Sequence, residues 1–191
     1  MEKATGEERR MPARQMARIA AFAALAVVAA VIVRVGGNAV VPFSLVPLVA
    51  LMAGMILGPR DGFLSMLVYV VLGLVGVPVF ASPPFGGPAY VLKPTFGFLL
   101  GFIAAAGVTG LITARGGKRL PVFVAAALAG LAVIYAVGLP YLYAILNFYL
   151  GKAVNWSGVL KIGFWPFIGF DIGKALLAAA VALAVMKRRG E

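Results

Sequence analysis

The sequence predicts an all-α integral membrane protein of six transmembrane helices, with both termini cytoplasmic and a long external loop between the third and fourth. Three observations carry that prediction. The 191 residues are 63% hydrophobic and only 12% charged, whereas a soluble domain is about half apolar and a quarter charged. Mean hydropathy reaches +1.04. Apolar runs of near-bilayer length alternate with short segments of glycine, proline and basic residues. One membrane domain accounts for the whole chain.

The same composition closes off several chemistries. Neither cysteine nor histidine is present, which excludes disulfides, thiol catalysis, imidazole bases and the usual zinc sites. The formal charge of +11 does not point to nucleic acid, because the bases cluster at the ends of apolar runs, as topology signals do.

Residues 1–16 are polar and basic and form the predicted cytoplasmic tail. The first span, about 18–35, follows without a cleavable pattern and stays as a true span. It is alanine-rich, and Ala17/Ala21, Ala20/Ala24 and Ala26/Ala30 place small residues four apart, where another helix approaches closely. Gly36 to Pro42 make an outer turn with Arg34 at its rim, and a short second span covers about 43–57. The breakers Gly58-Pro59-Arg60-Asp61-Gly62 predict a tight turn before a third span at about 63–77.

Residues 78–94 hold five prolines and are too apolar for a solvated linker, so they read as a lid over an outer cavity. The fourth span, about 95–114, ends in the basic loop Arg115 to Arg119, and the fifth runs to about 137. Residues 141–162, with their tyrosines and Trp156, suit the aromatic belt and an interfacial helix. The sixth span, about 164–186, ends in Lys187-Arg188-Arg189. On this layout 12 of the 17 basic residues share the side of the termini, which makes that side cytoplasmic.

The last span carries Asp171, the one acid deep inside an apolar run, and Lys174. Uncompensated, a charge near the bilayer midplane costs at least ~2.5–3.5 kcal/mol. At i and i+3 the two share a helix face and neutralise each other. Two readings stand side by side: a ligand site facing the external cavity, or a structural salt bridge.

Three segments add a resemblance. They are Leu51 to Phe80, with Ala-Gly-x-x-Leu-Gly-Pro at 53–59 and Gly-x-x-Gly-x-Pro-Val-Phe-Ala at 73–81; Lys93-Pro-Thr-Phe-Gly-Phe-Leu-Leu-Gly-Phe102; and Gly138-Leu-Pro followed by Pro166-Phe-x-x-x-Asp171-x-x-Lys174-Ala. Together they resemble the BioY family, the biotin-capturing subunits of energy-coupling-factor transporters in prokaryotic cytoplasmic membranes. The resemblance implies six helices, biotin bound in the outer half, and no cofactor. It also implies that the alanine face of span one (Ala17, Ala20, Ala21, Ala24) docks on a transmembrane coupling subunit driven by two cytoplasmic ATPases.

Asp171 and Lys174 match the family's acid and base in its final helix. The chain departs from the family at Ala-Ser-Pro-Pro-Phe-Gly-Gly, where a glycine-rich loop is usual, and at Leu99, where some members carry a base. Lys93 becomes the expected partner of the ligand carboxylate, with Ser82 as a polar contact and Phe80, Phe85, Tyr90 and Trp165 as apolar walls.

No P-loop occurs, so ATP hydrolysis falls to other chains. A membrane enzyme is disfavoured by the scarcity of acid/base groups. A stand-alone secondary carrier and a subunit for another vitamin remain the alternatives. The topology is testable by labelling single cysteines from outside. Lys152→Cys is expected to react and Lys118→Cys to be protected; the reverse pattern overturns the arrangement.

Overall fold

The computed structural model describes residues 11–32, 34 and 44–188. The predicted turn at Gly36–Pro42 and most of the basic tail lie outside these residues. Seven α-helices carry the described chain: α1 (Ala13–Ile32), α2 (Val46–Leu57), α3 (Pro59–Leu74), α4 (Phe96–Gly116), α5 (Leu120–Ala144), α6 (Trp156–Gly163) and α7 (Ile168–Arg188). A 3-10 turn at Pro88–Leu92 interrupts the loop before α4, and a π-helical segment, Ile145–Tyr149, continues α5. Among the described residues there is no β-strand. Among the described residues four helices are, by length and composition, long and apolar enough to cross a membrane: α1, α4, α5 with its π-helical continuation, and α7.

At the centre stands α2, which contacts α1, α3, α4, α5 and α7. Nine of its twelve residues are buried, so a helix apolar on every side is what the position requires. At 1.5 Å per residue it spans only about 18 Å, well short of the ~30 Å hydrocarbon core. Small residues draw the bundle in around it. A Cβ on Gly54 would lie 2.0 Å from the Ala106 carbonyl oxygen of α4 and 2.1 Å from Thr109 Oγ1.

The α2–α3 connection is a single residue. Gly58 takes φ +88° and its N–H closes on the Gly54 carbonyl at 2.9 Å, a left-handed conformation that other residues adopt at a cost. Pro59 then opens α3 at the first helical position, where its missing N–H is harmless, and Asp61 lies in the first turn. The breaker cluster at 58–62 is therefore mostly helix, since Pro and Asp start helices as readily as they stop them. Gln15 Nε2 donates to Asp61 Oδ1 at 2.7 Å and ties α1 to this corner.

Other boundaries differ from the sequence expectation: the first helix starts at Ala13, within the predicted tail, and the third ends at Leu74. The fifth helix does not stop at 137; it passes through Pro140 to Ala144. Gly138 packs against Phe98, and Leu142 and Leu146 are fully buried, so core contacts on the far side of Pro140 outweigh one absent hydrogen bond. The last helix begins at Ile168, after the turn at Phe164–Phe167. The 141–162 segment is divided among the end of α5, the π-helical segment and α6, with Trp156 stacked on Tyr143 at 4.7 Å.

The outside of the bundle is apolar, with Leu25, Val28, Ile32, Val75, Phe148 and Phe170 all exposed. In water this would be a liability, but toward lipid it is the expected surface. On α1 the alanines separate into two faces. Ala26 and Ala30 are fully buried in this chain's own core, whereas Ala17, Ala20, Ala21 and Ala24 are exposed.

Candidate functional site

Alternating chain direction brings the starts of α2, α4 and α7 to one end of the bundle, together with the later turns of α3 and α5. A cavity of about 650 Å³, its open mouth included, lies between them. Phe98, Leu99 and Phe102 from α4, with Ile134 from α5 and Phe167 before α7, give it a largely apolar wall.

Asp171 and Lys174, on one face of α7, supply the ionisable pair in that wall. Both are buried, 8% and 9% exposed respectively. Lys174 Nζ lies 2.5 Å from Asp171 Oδ1 and donates to the Ser44 carbonyl at 2.7 Å. The second carboxylate oxygen, Oδ2, accepts from the Tyr135 hydroxyl at 2.5 Å. One ion pair therefore gathers three elements: α7, α5, and the residues leading into α2. Burial of such a pair is tolerated only when its other hydrogen-bonding capacity is used, and Tyr135 and Ser44 supply that. An ionised carboxylate offers about four lone-pair sites. With one taken on each oxygen, Asp171 can still accept from a ligand N–H.

The 78–94 loop forms the side of the cavity through Ala81 and Tyr90. Tyr90 and Ser82 hydroxyls are 2.7 Å apart, so Ser82 holds the ring from behind. Phe80 is fully buried, 4.3 Å from the Tyr90 ring and edge-on to Tyr69. It fills the space left by the missing side chain of Gly73 and supports the wall without lining it. Phe85 stands outside the lining under the Arg34 guanidinium, 4.5 Å from its ring centroid, and Arg34 also donates to the Pro78 carbonyl. Lys93 is half-buried, its N–H closing the 3-10 turn on Tyr90 O at 3.0 Å. It does not line the cavity. Trp165 is exposed and packs edge-on to Phe164.

Of the residues singled out from the sequence, the cavity wall thus unites Asp171, Lys174 and Tyr90. Sequence reasoning missed Tyr135, Tyr69, Thr95 and Ser44. The tyrosines had a signal, since each is a hydroxyl set within a long apolar run. Thr95 sat inside a quoted motif without a role. Ser44 acts on Lys174 through its backbone carbonyl, which no side-chain pattern reveals. The wall has an acid and a base that offset each other, hydroxyl-bearing residues from several elements, and aromatic or aliphatic carbon elsewhere. Such a site suits an amphiphilic small molecule with N–H donors and an apolar body.

Comparison with known proteins gives concordant results. The model of the BioY family matches residues 2–191. The probable biotin transporter BioY of Lysinibacillus sphaericus is 44% identical over 172 residues, 88% of this chain and 85% of its own length. The biotin transporter BioY of Thermotoga maritima is 39% identical over 174 residues, covering 91% and 96%. Among solved structures, the S-component for biotin from an ECF-type ABC transporter superposes with a TM-score of 0.63 over 93% of this chain and 95% of that one. At 23% identity that likeness speaks to the fold.

The ion-pair geometry makes a prediction about stability. Removing one partner of a buried pair costs about 3–5 kcal/mol, whereas replacing both is far milder. Asp171→Asn and Lys174→Met are each expected to lower the melting temperature in detergent, and the double variant to recover most of the loss. Additive losses in the double variant would show that the two charges are not coupled.

Proposed function

The chain belongs to the BioY family, and on that premise we propose that it captures biotin in the cavity between α2, α4, α5 and α7. The carrying observation is the buried Asp171–Lys174 pair, held by Tyr135 and Ser44 in a largely apolar wall. Biotin has a matching division. Its ureido ring presents two N–H donors and one carbonyl, and its thiophane ring is apolar. Asp171 accepts from a ureido N–H, a charge-assisted bond. The carbonyl faces the Lys174 side of the pair, and the thiophane ring lies against Phe98, Phe102 and Ile134. Tyr90, backed by Ser82 and Phe80, closes the side toward the 78–94 loop.

The chain is a multi-pass membrane protein; in this reading it crosses the cytoplasmic membrane of a prokaryote six times, with the cavity facing outward and both termini in the cytoplasm. The support is the skew of basic residues and the convergence of the cavity-lining helix ends. With no P-loop in the sequence, uptake needs a coupling subunit and an ATPase pair in other chains. Ala17, Ala20, Ala21 and Ala24 offer the coupling subunit a flat, exposed helix face where close approach is possible.

Equilibrium binding of radiolabelled biotin to the detergent-purified chain tests the substrate. Saturable binding is expected in the wild type. Asp171→Asn is expected to weaken it by about 1.5–3 kcal/mol, roughly ten- to hundredfold. Unchanged affinity in that variant would move the ureido group elsewhere. For docking, Ala20→Leu or Ala24→Leu is expected to abolish uptake in cells carrying the partner subunits while leaving biotin affinity intact. Parallel loss of both would assign that face to this chain's own packing.

A further inference from the structure

Accepting the cavity as a biotin site leaves the valerate carboxylate without a partner. Among the described residues the wall contains a single cation, Lys174, already engaged with Asp171 and Ser44. Lys93 lies outside the wall, and position 99 is a leucine that lines it. An anionic group entering this low-dielectric space needs some stabilisation, because a charge without compensation is costly there.

Thr95 and the start of α4 supply it. Thr95 stands immediately before Phe96, the first residue of a 21-residue helix, and lines the cavity. Its α4 face is continuous with Phe98, Leu99 and Phe102, the i+3, i+4 and i+7 positions, which also line the cavity. The first turn of α4 is therefore turned to the ligand space, and the positive end of its macrodipole favours an anion there.

The second observation concerns the hydroxyl itself. A threonine before a helix usually caps it by accepting from an N–H of the first turn. Thr95 makes no such bond, and its Oγ1, buried in a residue only 9% exposed, has no hydrogen-bond partner among the described residues. An unpaired buried hydroxyl is unfavourable, and this one belongs to a residue of the cavity wall. We infer that the carboxylate of the bound ligand is held by the Thr95 hydroxyl at the N-terminus of α4, and not by a cationic side chain. The site then keeps its anion specificity while its side-chain charges still sum to zero.

The inference rests on the biotin reading above, so its test uses two ligands: biotin and its neutral amide, each competing with radiolabelled biotin. Thr95→Val keeps the β-branched shape and removes only the hydroxyl. It is expected to weaken biotin roughly ten- to hundredfold, the scale of one hydrogen bond to a charged group. The amide's affinity should stay unchanged, as should the melting temperature of the unliganded protein, because no capping bond is lost. Thr95→Ser should retain affinity, and Thr95→Ala should repeat the loss, which keeps the question decidable if the valine variant does not fold. Lys93→Ala should still prefer the acid over the amide. Full biotin affinity in Thr95→Val, equal loss of both ligands, or loss of the acid preference in Lys93→Ala overturns the inference alone. A wild-type chain that binds neither ligand overturns the biotin reading and this inference with it.

Discussion

A charge in an apolar interior must be answered by other groups, and in this bundle one answered charge organises the cavity end. Asp171 and Lys174 neutralise each other along one face of α7, yet the pair still has acceptors and protons to satisfy. Tyr135 reaches in from α5 and the Ser44 carbonyl from the approach to α2. Each of these bonds fixes the position of a different element. The cavity is therefore bounded by helices whose relative placement depends on satisfying one ion pair. Burial of the pair adds little net stability by itself; its contribution is to make one arrangement of the helices the acceptable one.

Around that anchor the backbone does much of the remaining work. Gly58 and Pro59 reverse the chain without an intervening loop, so α2 can be short and still hand over to α3. Because α2 is short, its start lies within the bundle, and Ser44, Val46 and Pro47 become part of the cavity wall. The starts of α4 and α7 reach the same level. Three helix N-termini thus converge on one space, giving it a positive field without requiring a second buried cation.

The legible part of this arrangement followed from composition and spacing. Long apolar runs announced a helical membrane protein, and the i, i+3 spacing of Asp171 and Lys174 announced the pair. That the 78–94 loop borders a cavity was also readable, since a proline-rich, aromatic segment suits a lid better than a solvated linker. What escaped was depth. Tyr135 lies in a run where every neighbour is apolar, and only three-dimensional packing reveals that it meets Asp171, 36 residues away. Phe80 and Tyr90 carry similar chemistry, yet one fills the gap above Gly73 and the other faces the cavity. Pro140 read as a stop signal because local propensity was weighed without the buried contacts of Leu142 and Leu146 beyond it. The alanines of α1 read as one face, whereas the structure divides them between core and exterior.

That division leaves the ion pair and the exposed alanine face on different helices, α7 and α1, with α2 touching both. At Gly54 the backbones of α2 and α4 are too close to admit even a methyl group. Interiors packed this closely transmit displacement in preference to absorbing it. A shift of α2 relative to α4 would require Ala106 and Thr109 to give way, so the two helices are held closely together at that level. The burial of α2 on nearly every side is consistent with that constraint: a helix with a free face would have somewhere to yield.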